Sequence, residues 1–342
     1  MRISLLSSIV LSVAALAAAQ SDAANGIIDK GPFPEELNGS NFTYPFPVEV
    51  FRFNNQFQDL EMVFMDVKPT HSSNGRTAVL LHGKNFCAPT WVETIQTLTY
   101  HGFRVVAVDQ LGFCKSSKPE NYQFSLRQLA HNTRGLLNAL DVGNVTVIGH
   151  SLGGMLTTTF GLQYPETIDK MVLVDPIGLE DYSAKGVPYI TIDASEETEA
   201  ASTFDSIKDY EKQFYYVDQW NSTYDIWVDM LVNIYNGPKR DQFVKNQAQI
   251  VDLVLTQPVA QYFKDLKPRT LLIVGDKDKT AIGAQWAPKE IAATLGHFRV
   301  LGPQVASQIP NSDFIHFSGL GHAPQISDPG EFHTKLLTWL LQ

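Results

Sequence analysis

Apolar and polar positions alternate where the structured part of the chain begins. Val48-Glu49-Val50-Phe51-Arg52-Phe53 and Leu60–Val67 both carry apolar side chains at a period near two. The Asn54-Asn55 region between them supplies turn residues, so the pattern predicts two antiparallel strands. From residue 76 the texture changes to short unbroken apolar runs alternating with longer helical segments. Thr77–Leu81 precedes a helix near 90–101, Phe103–Val108 precedes Leu126–Ala139, Val145–Ile148 precedes Leu152–Gln163, and Met171–Val174 follows. Runs apolar enough to be buried on both faces, separated by helices, predict βαβ units and a mostly parallel sheet. The alternation stops over 178–266, which reads as helical and is rich in Tyr, Trp and Phe. Strand pattern resumes at Thr270–Val274 and Phe314–Phe317, and an amphipathic helix near Phe332–Leu341 closes the chain. The expected architecture is α/β: a doubly wound, mostly parallel eight-stranded sheet. Its core is 48–177 plus 267–342, interrupted by a helical cap at 178–266.

The N-terminal texture points to an address. Arg2 is followed by Leu5–Ala19, a stretch of 15 almost wholly apolar or small residues ending in Ala17-Ala18-Ala19. That is shorter than the roughly 20 residues a bilayer span requires and fits a cleaved secretory leader over 1–19. The expectation is a secreted, extracellular protein with no membrane association once the leader is removed. Residues 20–47 are polar and Pro-containing, an extended lead segment. Asn38, Asn41 and Asn221 begin N-x-Ser/Thr sequons and are candidate glycosylation sites. Asn144 begins another but borders an apolar strand.

Charge and composition remove whole classes. The 342 residues include 26 Lys plus Arg against 36 Asp plus Glu, a net charge of −10. No basic cluster exists to neutralise phosphates, so nucleic acid is not an expected partner. Two cysteines cannot build a multi-Cys zinc site. There is no H-E-x-x-H, no C-x-x-C and no P-loop, so neither metal nor cofactor is expected. The Gly149–Gly154 run lacks the G-x-G-x-x-G spacing of a dinucleotide site.

The same run carries the strongest chemical signal. Gly149-His150-Ser151-Leu152-Gly153 is G-x-S-x-G, set between a predicted strand and a predicted helix. In that context it is a nucleophile elbow: two glycines permit a turn tight enough to lift the Ser151 hydroxyl clear of the backbone. A serine hydroxyl needs a base. Of nine histidines, His322 in Ser318-Gly319-Leu320-Gly321-His322 has the best position, a glycine-flanked loop at a strand's C-terminal end. An imidazole base needs an orienting carboxylate. Gly275-Asp276-Lys277-Asp278 offers two, with Asp278 favoured and Asp276 a turn brace or the alternative acid. An oxyanion needs two N–H donors, expected from Leu152 and from Lys84 after His82-Gly83. The Lys84 side chain reads as solvated rather than as a contact to an anionic substrate.

Together His82-Gly83, Asp109-Gln110-Leu111-Gly112-Phe113 with Ser116, the elbow, Gly275–Asp278 and Gly321-His322 resemble the α/β-hydrolase superfamily. The similarity is to its capped branch, which includes esterases, epoxide hydrolases, haloalkane dehalogenases and C–C bond hydrolases, and it covers residue 48 to the end. Ser151 excludes the epoxide hydrolases and dehalogenases of that branch, which carry Asp at the elbow. Phe113-Cys114 stands where many relatives have a second glycine, and the segment between Asp278 and His322 is long. The strand order the resemblance implies brings Cys87 and Cys114 close together, and a secretory address favours a disulfide between them. The resemblance implies a serine hydrolase of a carboxylic ester or lactone, acting on a small-to-medium apolar molecule. C–C, amide or metabolite-tailoring chemistry with the same triad, or ligand binding on the same scaffold, are the alternatives.

Overall fold

The computed structural model describes residues 26–342. The expected leader at 1–19 lies outside them. The strands are β1 Ile27–Asp29, β2 Glu36–Leu37, β3 Ser40–Asn41, β4 Glu49–Asn55, β5 Gln58–Val67, β6 Thr77–Leu81, β7 Arg104–Val108, β8 Val145–His150, β9 Ile168–Val174, β10 Arg269–Gly275 and β11 Ser312–Phe317. The helices that position the site are α1 Val92–Tyr100, α2 Leu126–Ala139, α3 Leu152–Gln163, α4 Ile192–Ala200, α5 Phe204–Phe214, α6 Asp225–Tyr235 and α7 Arg240–Thr256.

The main sheet runs β1-β4-β5-β7-β6-β8-β9-β10-β11. From β7 to β11 every neighbouring pair is parallel, while β1, β4 and β5 are antiparallel to their neighbours. This sheet has nine strands, one more than expected. The additional strand comes from the lead segment: Ile27–Asp29 pairs with Val50–Arg52 and covers what would otherwise be an exposed row of backbone groups on β4. The turn between β4 and β5 also differs from expectation. Asn54 and Asn55 are paired within the ladder, opposite Asp59 and Gln58. The positive φ angles fall on Gln56 (49°) and Phe57 (60°), so register rather than turn propensity decided where the chain reverses.

The unbroken apolar runs have the cause inferred from the sequence. Along β6, Val79 and Leu81 face one core while Ala78 and Leu80 face the other; along β7, Val106 and Val108 oppose Val105 and Ala107. Strands with cores on both sides carry apolar residues at every position. Between Val174 and Arg269 the chain is helical and places α4 to α7 over the C-terminal ends of the parallel strands. A disulfide joins Cys87, just before the short 3₁₀ turn Ala88–Trp91, to Cys114 in the loop after β7, with Cα atoms 5.7 Å apart.

Where β6 lies between β7 and β8, the chain winds in opposite directions on either side. The crevice outside the strand ends at such a switch point is where ligands of open α/β sheets bind. Leu81-His82 and His150-Ser151 both end there.

Candidate active site

Ser151 occupies the turn from β8 into α3 at φ 56°, ψ −118°, a region non-glycine residues avoid at a cost of about 1–3 kcal/mol. The turn is held from three sides: Ser151 N–H donates to the Val174 carbonyl at 3.0 Å, and the Ser151 carbonyl accepts from Gly154 (2.8 Å) and Ile177 (3.3 Å). Both elbow glycines are sterically required. A Cβ on Gly149 would stand 2.1 Å from the Gly153 carbonyl oxygen, and one on Gly153 would stand 2.2 Å from that of Leu81.

His322 is wholly buried, and its Nδ1 lies 2.6 Å from Asp278 Oδ2. The other Asp278 oxygen accepts the Thr280 N–H at 2.7 Å. With Nδ1–H committed to the carboxylate, the Nε2 lone pair is free, and Nε2 makes no hydrogen bond among the described residues. Asp276 is placed differently. Its Oδ1 accepts the Gly319 N–H at 2.7 Å, bracing the loop that presents His322. Of the two candidate acids, therefore, Asp278 meets the histidine and Asp276 does not. The imidazole is walled by Tyr215, Phe298 and His150, with ring centroids 4.9, 6.1 and 4.9 Å away.

The Leu152 and Lys84 N–H groups have no hydrogen-bond acceptor among the described residues. A Cβ on Gly83, the residue before Lys84, would lie 3.0 Å from Ser151 Cβ, so the loop after β6 passes directly against the elbow. The positive end of α3 points the same way. His82 fastens this loop, its Nδ1–H on the Gly83 carbonyl (2.8 Å) and its Nε2 accepting Gln110 N–H (3.1 Å).

A cavity of about 370 Å³ opens over Ser151. Lys84, Ile177, Ile207, Tyr210, Leu231 and Trp286 are among the side chains lining it. The Lys84 side chain is not solvated, contrary to expectation. Its Nζ bonds Glu199 Oε1 of α4 at 2.7 Å, and both side chains are about nine-tenths covered (14% and 13% exposed). Tyr235 of α6 donates to the other Glu199 oxygen at 2.9 Å. This pair ties the cap to the loop beside the nucleophile. Of the cap aromatics, Tyr210, Tyr215 and Tyr235 reach the cavity, whereas Tyr216, Trp220 and Tyr224 stack on one another in the cap's own core.

Two side chains at the site carried no sequence signal of their own. His150 donates Nε2–H to the His322 carbonyl at 2.6 Å; burial, then its neighbour His322, hold its basicity well below the ordinary range, so it stays neutral. Asp175, the residue after β9, is buried beside Asp278. Its position at a strand's C-terminal end was the available clue.

Among the sequons, Asn38 is unsuited to a glycan, because its Nδ2 is committed to Glu61 (2.9 Å) and to the Lys115 carbonyl (2.9 Å). Asn41 and Asn221 are exposed. No helix among the described residues is long and apolar enough to cross a membrane.

A mostly parallel sheet with this strand order, a strained serine between strand and helix, and a buried carboxylate–histidine pair after the last two strands define an α/β-hydrolase. The alpha/beta hydrolase fold family matches residues 78–329, and the chain belongs to it. The structure is similar to that of a probable hydrolytic enzyme from Pseudomonas aeruginosa PAO1, with a TM-score of 0.86 and 46% identity, over 87% of this chain and 95% of that one. An uncharacterized protein of Mycobacterium tuberculosis is 34% identical over 108 residues, 32% of this chain and only 31% of that protein's length. A 2-hydroxy-6-oxo-6-phenylhexa-2,4-dienoate hydrolase of Comamonas testosteroni is 26% identical over 79% of this chain and 90% of its own.

Proposed function

We propose that this hydrolase is a secreted serine esterase or lactonase working through Ser151, His322 and Asp278. The observation that carries the reading is His322, whose Nδ1–H is spent on Asp278 while Nε2 is kept dry and unpaired at the strand ends that also hold Ser151. Ser151 Oγ attacks the substrate carbonyl carbon as His322 Nε2 takes its proton; nucleophile–base contacts of this kind tighten when substrate enters. The resulting oxyanion is met by the Leu152 and Lys84 N–H groups. His322 then protonates the departing alcohol oxygen, leaving an acyl-Ser151 ester. A water molecule, deprotonated by the same nitrogen, attacks that ester; His322 then passes the proton to Ser151 Oγ as the acyl–oxygen bond breaks and the acid is released.

The cavity suits a small-to-medium molecule with its apolar part against Ile177, Ile207 and Leu231. Secretion is supported by the leader texture of 1–19 and by a disulfide, which persists in oxidising compartments. C–C bond hydrolysis is the second reading, favoured by the similarity to the Comamonas testosteroni enzyme.

The test is a fluorophosphonate probe with peptide mapping, run beside p-nitrophenyl acetate, butyrate and octanoate on the wild type and Ser151→Ala. The expected result is an adduct on Ser151, turnover of at least the shorter esters, and a loss of at least about 10⁴-fold in Ser151→Ala. Ester turnover that survives this substitution refutes the mechanism. Labelling at Ser151 without ester turnover moves the assignment to the C–C reading.

A further inference from the structure

Asp175 follows β9 directly, wholly buried, at φ 40°. Its Oδ1 accepts the Gly275 N–H at 2.7 Å, while Oδ2 meets no donor among the described residues. An oxygen from each of Asp175 and Asp278 and a ring nitrogen of His322 lie within 4.8 Å of one another. The groups facing this cluster are Asp278 and His322 themselves, His150 from β8, Tyr182 beyond β9, Tyr210 from α5 and Tyr215 just after it; none is a lysine or arginine.

Two carboxyl groups this close and this dry do not both ionise. Asp278 receives two N–H donors, from Thr280 and His322, and Asp175 receives one. The charge therefore settles on Asp278. We propose that Asp175 is a positioning residue that keeps its proton and donates it from Oδ2 to the Asp278 carboxylate, fixing that carboxylate against His322 and diluting its charge. Burial and the Asp278 charge both push the Asp175 carboxyl well above the usual carboxylate range, the direction this requires. A doubly ionised pair would instead hold the adjacent imidazole as a cation, unable to accept the Ser151 proton. The kinetic consequence rests on the triad reading; the location of the proton does not.

The experiment has an arm for each. Infrared difference spectra compare the wild type with Asp175→Asn at pH 7. In parallel, kcat/KM against pH on a p-nitrophenyl ester compares the wild type, Asp175→Asn and Asp175→Ala. The expected spectrum loses a protonated-carboxyl C=O stretch and no carboxylate band. Asp175→Ala is expected to lower kcat by at least 10-fold with little change in KM. It should also move the acid limb of the profile up by about one pH unit, because an undiluted Asp278 charge holds the imidazolium more tightly. Asn restores most of both, since its amide donates to Asp278 and tolerates a positive φ. Loss of a carboxylate band, a wild-type profile in Asp175→Ala, or an Asn variant no better than Ala overturns the proposal. If the wild type turns over no ester, the ester reading fails in that assay, and the infrared arm still decides where the proton sits.

Discussion

Substituting Gly153 by alanine tests whether the elbow is a steric device. The new Cβ would lie 2.2 Å from the Leu81 carbonyl oxygen and 2.8 Å from that of His82. Both are backbone atoms at the end of β6, which is hydrogen-bonded to β7 and β8 on either side and cannot retreat. Real Cβ atoms essentially never approach closer than 3.0 Å, so α3 must withdraw by about 0.8 Å or more. Ser151 and Leu152 lead into that helix and move with it. A misplacement near 1 Å of reacting groups lowers rates by roughly 10²-fold, and overpacking of this kind destabilises by about 1–3 kcal/mol. The assay is kcat/KM on p-nitrophenyl acetate, the fluorophosphonate labelling rate, and thermal unfolding. Gly143→Ala is the control, because a Cβ there meets nothing within 4 Å. Gly153→Ala should fall roughly 100-fold in both kinetic measures and unfold at lower temperature, with Gly143→Ala unchanged. A Gly153→Ala protein within about threefold of wild type would refute the argument that close approach of α3 to β6 aims the nucleophile.

Four further outcomes are expected. Asp278→Asn should reduce kcat by roughly 10⁴-fold, as loss of the orienting carboxylate does elsewhere. Asp276→Asn, whose side-chain hydrogen bond among the described residues is to the Gly319 N–H, should lose less than about 10-fold; steady-state kinetics on the pair separates the two acids. Glu211 of α5 is wholly buried with neither oxygen bonded among the described residues, and burial raises its carboxyl well above the ordinary value. Above about pH 4.5 the unfolded chain ionises it while the folded chain does not, so folding stability falls as pH rises. The Tm advantage of Glu211→Gln over wild type should therefore widen from pH 5 to pH 8; a constant or shrinking difference contradicts this. Replacing Cys87 and Cys114 by serine opens a loop with a sequence separation of 27 and should lower the unfolding free energy by about 3 kcal/mol in a denaturant titration.

Much of the architecture was legible because it depends on local pattern. The helices expected at Leu126–Ala139 and Leu152–Gln163 form with those bounds, the first capped by Ser125, whose side chain accepts the Gln128 N–H. The nucleophile elbow was legible for a related reason. Its two glycines are compelled by atoms only a few residues or one strand away. What escaped the sequence was set by pairing between segments, which overrides local preference. The ninth strand forms because a β4 edge needed covering, and the Asn54-Asn55 turn moved because strand register overrode turn preference. Lys84 reads as a surface lysine until Glu199, 115 residues later, is folded over it.

The amino-acid sequence by itself determined the α/β texture, the elbow serine, the two aspartates after β10 and the histidine after β11, because each follows from spacing within one strand and its loop. The sequence favoured Asp278 over Asp276, and tertiary structure brought the Asp278 carboxylate to His322. It also brought Asp175 up against that pair and closed the cap over Ser151 through an ion pair. Those outcomes depend on distances between segments about 40 to 170 residues apart. No local periodicity encodes such distances, and only the packing of the sheet sets them.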